Sequence, residues 1–228
     1  MLHSVPSISY DFGHRMTRGR PGSEEVPPYT RPMARLRLGL LGGTFDPPHV
    51  GHLAAAVEAR AVLALDRVLL VVANDPWQKS SVRRISPAGD RLAMTEAACL
   101  GLEGIEASAL EIERGGPSYM VDTLGQLSGP DVDLFLILGV DAAAGLSTWE
   151  RWAELPGLAT LVIVERAGDV APSVDPTWKV EHVPLIRLDI SSSDLRCRAS
   201  EGRPLRPYVP EPVIDVIEGR SLYGADRS

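Results

Sequence analysis

The chain has 228 residues, 44% hydrophobic and 23% charged, with a formal net charge of −7. That length supports one α/β domain with a full core, and the acidic balance argues against nucleic acid or an anionic membrane as the main partner. No apolar run is long enough to span a bilayer, and the two cysteines, Cys99 and Cys197, read as reduced, partly buried helix thiols of a cytoplasmic protein.

Residues 1–35 mix Pro, Gly, Ser and Arg without periodicity and predict a disordered leader, which leaves 36–224 as the domain. Residues 36–41 predict a strand, and 52–65 a helix rich in Ala, Leu and Val. The near-continuous apolar run 66–73 (DRVLLVVA) predicts a strand covered on both faces. After a polar loop over 74–85, Ser86 is expected to cap a helix with Pro87 at its first position, running to about residue 100. A strand is expected over 105–112, a helix over 118–127 and a buried strand over 132–138, with Gly139 at the turn. One or two short helices should fill 141–155 and stop at Pro156, and strands are expected over 158–164 and 180–188. Helices over 192–200 and 213–218 complete the pattern, the first between a serine run and Gly202. This alternation predicts an α/β fold, a Rossmann-like doubly wound parallel sheet in a single domain, whose ligands bind beyond the carboxyl ends of the strands.

Two stretches carry chemistry. GGTFDPPHVGH, residues 42–52, follows the first strand and opens the first helix. Its glycines allow close backbone approach to an anion, and the helix start supplies N–H groups and a favourable dipole. His49 and His52 beside such a site can donate hydrogen bonds or carry positive charge near neutral pH. As metal ligands they lack company, because no Cys/His cluster lies nearby. Far along the chain, ISSSDLR, residues 190–196, sets Ser191, Ser192 and Ser193 at a helix start with Arg196 one turn in. Taken alone it is a serine cap with a solvated arginine; taken with the first stretch it is a second anion cradle of N–H groups, hydroxyls and a forked guanidinium.

GGTFDPPHVGH and ISSSDLR together resemble the two signatures of the nucleotidylyltransferase superfamily. PWQK at 76–79, ISPAGDRLAM at 85–94, GGPSYMVDTL at 115–124 and LGVDAAAGLSTWERW at 138–152 are similar to bacterial nicotinate-nucleotide adenylyltransferases. The resemblance implies transfer of AMP from ATP to nicotinate mononucleotide, giving deamido-NAD and pyrophosphate. By the same resemblance Gly42, Gly43, Thr44 and Phe45 line the phosphate channel, and His49, His52 and Arg196 act at the triphosphate. Gly139 and Asp141 hold the adenosine and its sugar, although Asp141 can equally serve as a helix cap. Trp149, by default a core residue, stacks on the pyridine ring, and Met120 and Glu150 offer backbone N–H groups to its carboxylate. Lys79 and Arg166 are phosphate contacts, and Mg²⁺ is held mainly by the ATP phosphates.

The chain departs from the family at Met120, where threonine is common, and in the loop ANDPWQK, usually of PPHK form. Both leave open the choice between acid and amide mononucleotides. Enzymes acting on phosphopantetheine or an alcohol phosphate lack a segment like LSTWERW. An aminoacyl-tRNA synthetase with a similar histidine box needs a longer, less acidic chain and a lysine-rich signature. A silent nucleotide sensor stays open, as does a homo-oligomer.

Overall fold

The structure, a computed structural model, describes residues 35–76, 85–166, 168–170 and 172–224; all but the last residue of the expected leader, and Lys79, lie outside them. Six strands occur: β1 (Leu36–Gly43), β2 (Arg67–Val72), β3 (Ile105–Ser108), β4 (Val132–Gly139), β5 (Thr160–Arg166) and β6 (Val180–Leu185). They alternate with helices α1 (Val50–Val62), α2 (Ala88–Cys99), α3 (Leu110–Arg114), α4 (Met120–Leu127), α5 (Val140–Ala144), α6 (Ser192–Ser200) and α7 (Glu211–Gly219). Every neighbouring pair is parallel, in the order β3-β2-β1-β4-β5-β6. The expected Rossmann-like doubly wound sheet is therefore present, with its switch point between β1 and β4.

The continuous apolar runs follow from covering both faces. Along β4, Leu134, Leu136 and Leu138 enter one core with Val121 and Leu124 of α4, while Phe135 and Ile137 enter the other with Ala56 and Ala59 of α1. In β5, Leu161 and Ile163 divide from Val162 and Val164 in the same way. Period-two side-chain direction makes this split, and each fully buried aliphatic contributes about 2 kcal/mol. A third cluster joins Met94 and Ala98 of α2, Leu195 of α6, and Val213, Ile214 and Ile217 of α7. Among the described residues no helix is long and apolar enough to cross a membrane.

Several boundaries differ from the sequence reading. Residues 110–112 are helical and not strand, because β3 ends at Ser108 and α3 starts directly. Ser86 does not cap α2; Pro87 holds the cap position, while the Ser86 N–H donates to Asp46 and its carbonyl accepts from Arg91. Pro156 lies inside a 3-10 turn, Trp152–Gly157, and does not end it. Helix α1 begins at Val50, so His52 sits within its first turn. Cys99 and Cys197 are free thiols on helices, but Cys197 is exposed on the outer face of α6.

Candidate active site

At the carboxyl ends of β1 and β4 the sheet opens into two adjoining cavities. The larger, about 480 Å³, is lined by Gly42, Gly43, Thr44, Phe45, His49, His52, Gly139, Asp141, Arg166, Ser191, Ser192, Ser193 and Arg196. The smaller, about 290 Å³, is lined by Met120, Trp149 and Glu150, and again by Gly42, Gly43 and Thr44. Every described residue singled out in the sequence thus falls on one of two lobes that share the end of β1 as a wall.

The glycines at that wall answer to the protein's own side chains. A Cβ on Gly42 would come within 2.6 Å of Met120 Cε, and one on Gly43 within 2.8 Å of Phe45 Cζ. Phe45 holds a left-handed φ of 50° at a cost of about 1–2 kcal/mol, sustained by burial of its ring. That ring meets His52 edge-on, with centroids 5.0 Å apart, and His52 stacks on His49 at 3.8 Å. Sequence, backbone strain and packing together fix the two imidazoles.

Their protonation follows from their contacts. The His49 backbone N–H donates to Nδ1 of His52 at 3.2 Å, so neutral His52 carries its proton on Nε2 and offers it as a donor. His49 is buried, and Nδ1 of its ring has no hydrogen-bond partner. Burial, and then the nearby Arg166 charge, lower its pKa from 6.5 to about 4. The expectation that both histidines can be cationic near neutrality fails for His49, because desolvation opposes the charge.

This has a consequence for stability. Below pH 6.5 the unfolded chain protonates His49 while the fold keeps it neutral down to about pH 4, so stability is full above that window and declines as pH falls through it. Comparing urea unfolding of the wild type and His49→Asn, the wild type should lose about 2 kcal/mol more than the variant between about pH 7 and pH 5. Equal losses would show that His49 titrates alike in both states.

The serine-bearing cradle differs in detail from its expected form. All three hydroxyls are engaged within the protein. Ser191 caps α6 by accepting from the Asp194 N–H at 3.1 Å, Ser192 donates to the Pro47 carbonyl at 2.8 Å, and Ser193 accepts from Arg196 at 3.3 Å. Ser191 satisfies a donor of the helix start, while Ser192 and Ser193 brace the cradle through Pro47 and Arg196. Arg196 Nη1 also donates to the Asp46 carbonyl. Two stretches at opposite ends of the domain are therefore pinned together at one rim of the sheet.

The smaller lobe is built around the start of α4. The Met120 N–H opens that helix, where no intrahelical acceptor exists for it. Behind it the Thr123 hydroxyl donates to buried Glu111 at 2.6 Å and accepts from Arg114 at 3.1 Å. Arg151 ties Asp122 of α4, at 2.7 Å, to the segment that carries Trp149. Trp149 packs in part on the core and lines the lobe with its remainder. Asp141 does not cap α5; Gly139 holds that position, and Asp141 lies exposed on the larger lobe.

Three participants escaped the sequence reading. Asp46 stands inside the first motif; its carboxylate is 2% exposed and accepts from Ser86 and Tyr223. Tyr223, past the end of α7, is the second. Arg91, 1% exposed, donates to the carbonyls of Ser86, Thr44, Ala73 and Asn74. Its signal was available: Arg91, Met94, Thr95 and Ala98 form one buried helical stripe, and an arginine there needs internal acceptors.

Comparison with known proteins bears on the family and the fold. The Cytidylyltransferase-like family model matches residues 40–198. A probable nicotinate-nucleotide adenylyltransferase of Corynebacterium kroppenstedtii is 43% identical over 82% of this chain and 90% of its own length. One of Streptomyces coelicolor is 44% identical over 80% and 98%. The solved nicotinic acid mononucleotide adenylyltransferase of Plasmodium falciparum, complexed with NaAD, shares the fold at a TM-score of 0.65 and 19% identity, covering 82% of this chain and 97% of that one. By sequence along most of its length and by the cleft those residues build, the chain belongs to the nicotinate-nucleotide adenylyltransferase family.

Proposed function

We propose that the two lobes bind ATP and nicotinate mononucleotide side by side and join them across the end of β1. The chain is an adenylyltransferase that forms deamido-NAD, as its family membership implies. The observation that carries this reading is the meeting of the His49–His52 and Ser191–Arg196 segments on one cavity, with a second cavity behind the same glycines.

In this reading the larger lobe takes ATP. Arg196 and the N-terminal end of α6 face the phosphates, and a triphosphate answers the unpartnered His49 Nδ1 by bringing negative charge that draws a proton onto it. Asp141 accepts from the ribose, and Arg166 reaches the phosphates from the rim. The smaller lobe takes the pyridine ring against Trp149, with its carboxylate at the Met120 and Glu150 N–H groups. A mononucleotide 5′-phosphate oxygen attacks the α-phosphorus in line, and the bond to the β-bridging oxygen breaks as pyrophosphate leaves. The attacking phosphate is already ionised at neutral pH, so no protein nucleophile is needed. His52 Nε2–H stabilises charge on the α-phosphoryl oxygens.

Among the described residues no three His, Cys, Asp or Glu side chains converge to hold a metal. Mg²⁺ would arrive on the triphosphate, held mainly by phosphate oxygens and water, and its charge would neutralise the leaving group.

The test is pyrophosphate release from ATP with nicotinate mononucleotide, its amide and phosphopantetheine in parallel. Fastest release with the acid mononucleotide is expected, and release with none of them favours a sensor. Arg196→Ala should raise the Michaelis constant for ATP by about tenfold while leaving that for the mononucleotide near its wild-type value. Unchanged ATP dependence would place the cradle elsewhere.

A further inference from the structure

Asp46 is a buried carboxylate with three suitors. Its Oδ1 accepts from the Tyr223 hydroxyl at 2.6 Å and its Oδ2 from the Ser86 N–H at 3.2 Å. The third, Arg196 Nη1, stands 3.9 Å from Oδ2, beyond hydrogen-bond reach, and donates instead to the Asp46 backbone carbonyl, while Nη2 donates to Ser193. The two side chains thus form only a loose ion pair; a hydrogen-bonded one would otherwise be favoured, because both are largely withdrawn from water and opposite charges attract strongly there.

We propose that the Tyr223 hydroxyl positions Arg196 for ATP: by holding Oδ1 while the Ser86 N–H holds Oδ2, it fixes the Asp46 carboxylate so that the guanidinium pairs with it only loosely and stays on the nucleotide lobe. Tyr223 lies past the end of α7, far in sequence from either motif. The chain is turned to deliver it there. Ser221 and Tyr223 both hold left-handed φ values, 51° and 60°, which β-carbon residues adopt only when contacts compensate. Leu222 N–H closes the turn on the Ile217 carbonyl at 2.9 Å, and the Tyr223 ring packs with the third core cluster. Burial and the adjoining Asp46 charge push the phenol's pKa up, which keeps it a donor. The terminal segment thus acts on ATP through Asp46 and Arg196, without touching the nucleotide.

This inference rests on the assignment of the larger lobe to ATP, and its test separates the two. Tyr223→Phe removes one hydroxyl and keeps the ring. Calorimetric ATP affinity should weaken and the Michaelis constant for ATP rise by about five- to tenfold, with the constant for nicotinate mononucleotide unchanged. In an Asp46→Asn background, where no carboxylate remains to capture Arg196, Tyr223→Phe should leave ATP affinity within about twofold. A structural anchor would instead lower thermal stability and weaken both substrates alike in both backgrounds. Unchanged ATP affinity in Tyr223→Phe, or an equal loss in both backgrounds, overturns the inference. A wild type that binds ATP but does not turn over nicotinate mononucleotide sinks the functional assignment alone, and a wild type that binds no ATP sinks both.

Discussion

Replacing His52 with alanine lowers turnover by about a hundredfold or more and leaves the unfolding transition close to that of the wild type. The imidazole is held from three sides: the His49 ring stacked at 3.8 Å, the Phe45 edge at 5.0 Å and the His49 N–H on Nδ1. That last bond leaves Nε2–H as the proton to offer, and a donor fixed before the reaction needs no reorganisation as charge develops on phosphorus-bound oxygen. Losing one such donor costs about 3 kcal/mol of transition-state stabilisation. Folding loses far less, about 1 kcal/mol, since His52 is only half-buried and its role in the helix start is one hydrogen bond. His52→Gln, which keeps an N–H on a side chain of similar reach, should recover part of the rate. Turnover of wild-type magnitude in His52→Ala, measured with urea unfolding on the same preparation, would remove this residue from the chemistry.

The largest stability effect belongs to Arg91. Arg91→Met keeps most of the volume and removes four donors' worth of contacts: Ser86 O at 2.9 Å, Thr44 O at 3.1 Å, Ala73 O at 2.5 Å and Asn74 O at 3.0 Å. Those carbonyls belong to the loops after β1 and β2 and to the approach to α2, so one planar guanidinium closes three chain segments together. Burial opposes its charge, and the Asp46 carboxylate offsets part of that opposition. The expected loss is about 3–5 kcal/mol by urea unfolding, because carbonyls left dry are more expensive than the net worth of their bonds. Arg91→Lys should rescue little, since an ammonium cannot meet four acceptors in a fork. A loss below about 1 kcal/mol would mean that water replaces the guanidinium.

What the sequence made legible was what repeats or what is local. The apolar runs over β2, β4 and β5 announced buried strands because both faces are covered, and the serine run with Gly202 bounded α6 correctly. Residues 105–112 misled because Ile105, Ala107, Leu110 and Ile112 suit a strand as well as a strand followed by a helical turn. Ser86 looked like a cap, but Pro87 takes that position and the Ser86 N–H turns to Asp46. The serine hydroxyls are a subtler case: the Ser191 and Ser193 contacts are local to the helix start, but the bond from Ser192 to the Pro47 carbonyl depends on a partner that only the fold brings near. Tyr223 was hidden for that reason, since it acts through Asp46, distant in the chain.

The common wall of Gly42, Gly43 and Thr44 has an outcome for how the enzyme lets go. In the proposed arrangement a dinucleotide made across it would occupy both chambers at once and inherit the contacts of each half. Departure then requires vacating two compartments together, which favours slow egress over slow bond-making. Such a ligand should compete with either starting material, so accumulating dinucleotide throttles its own synthesis from both directions.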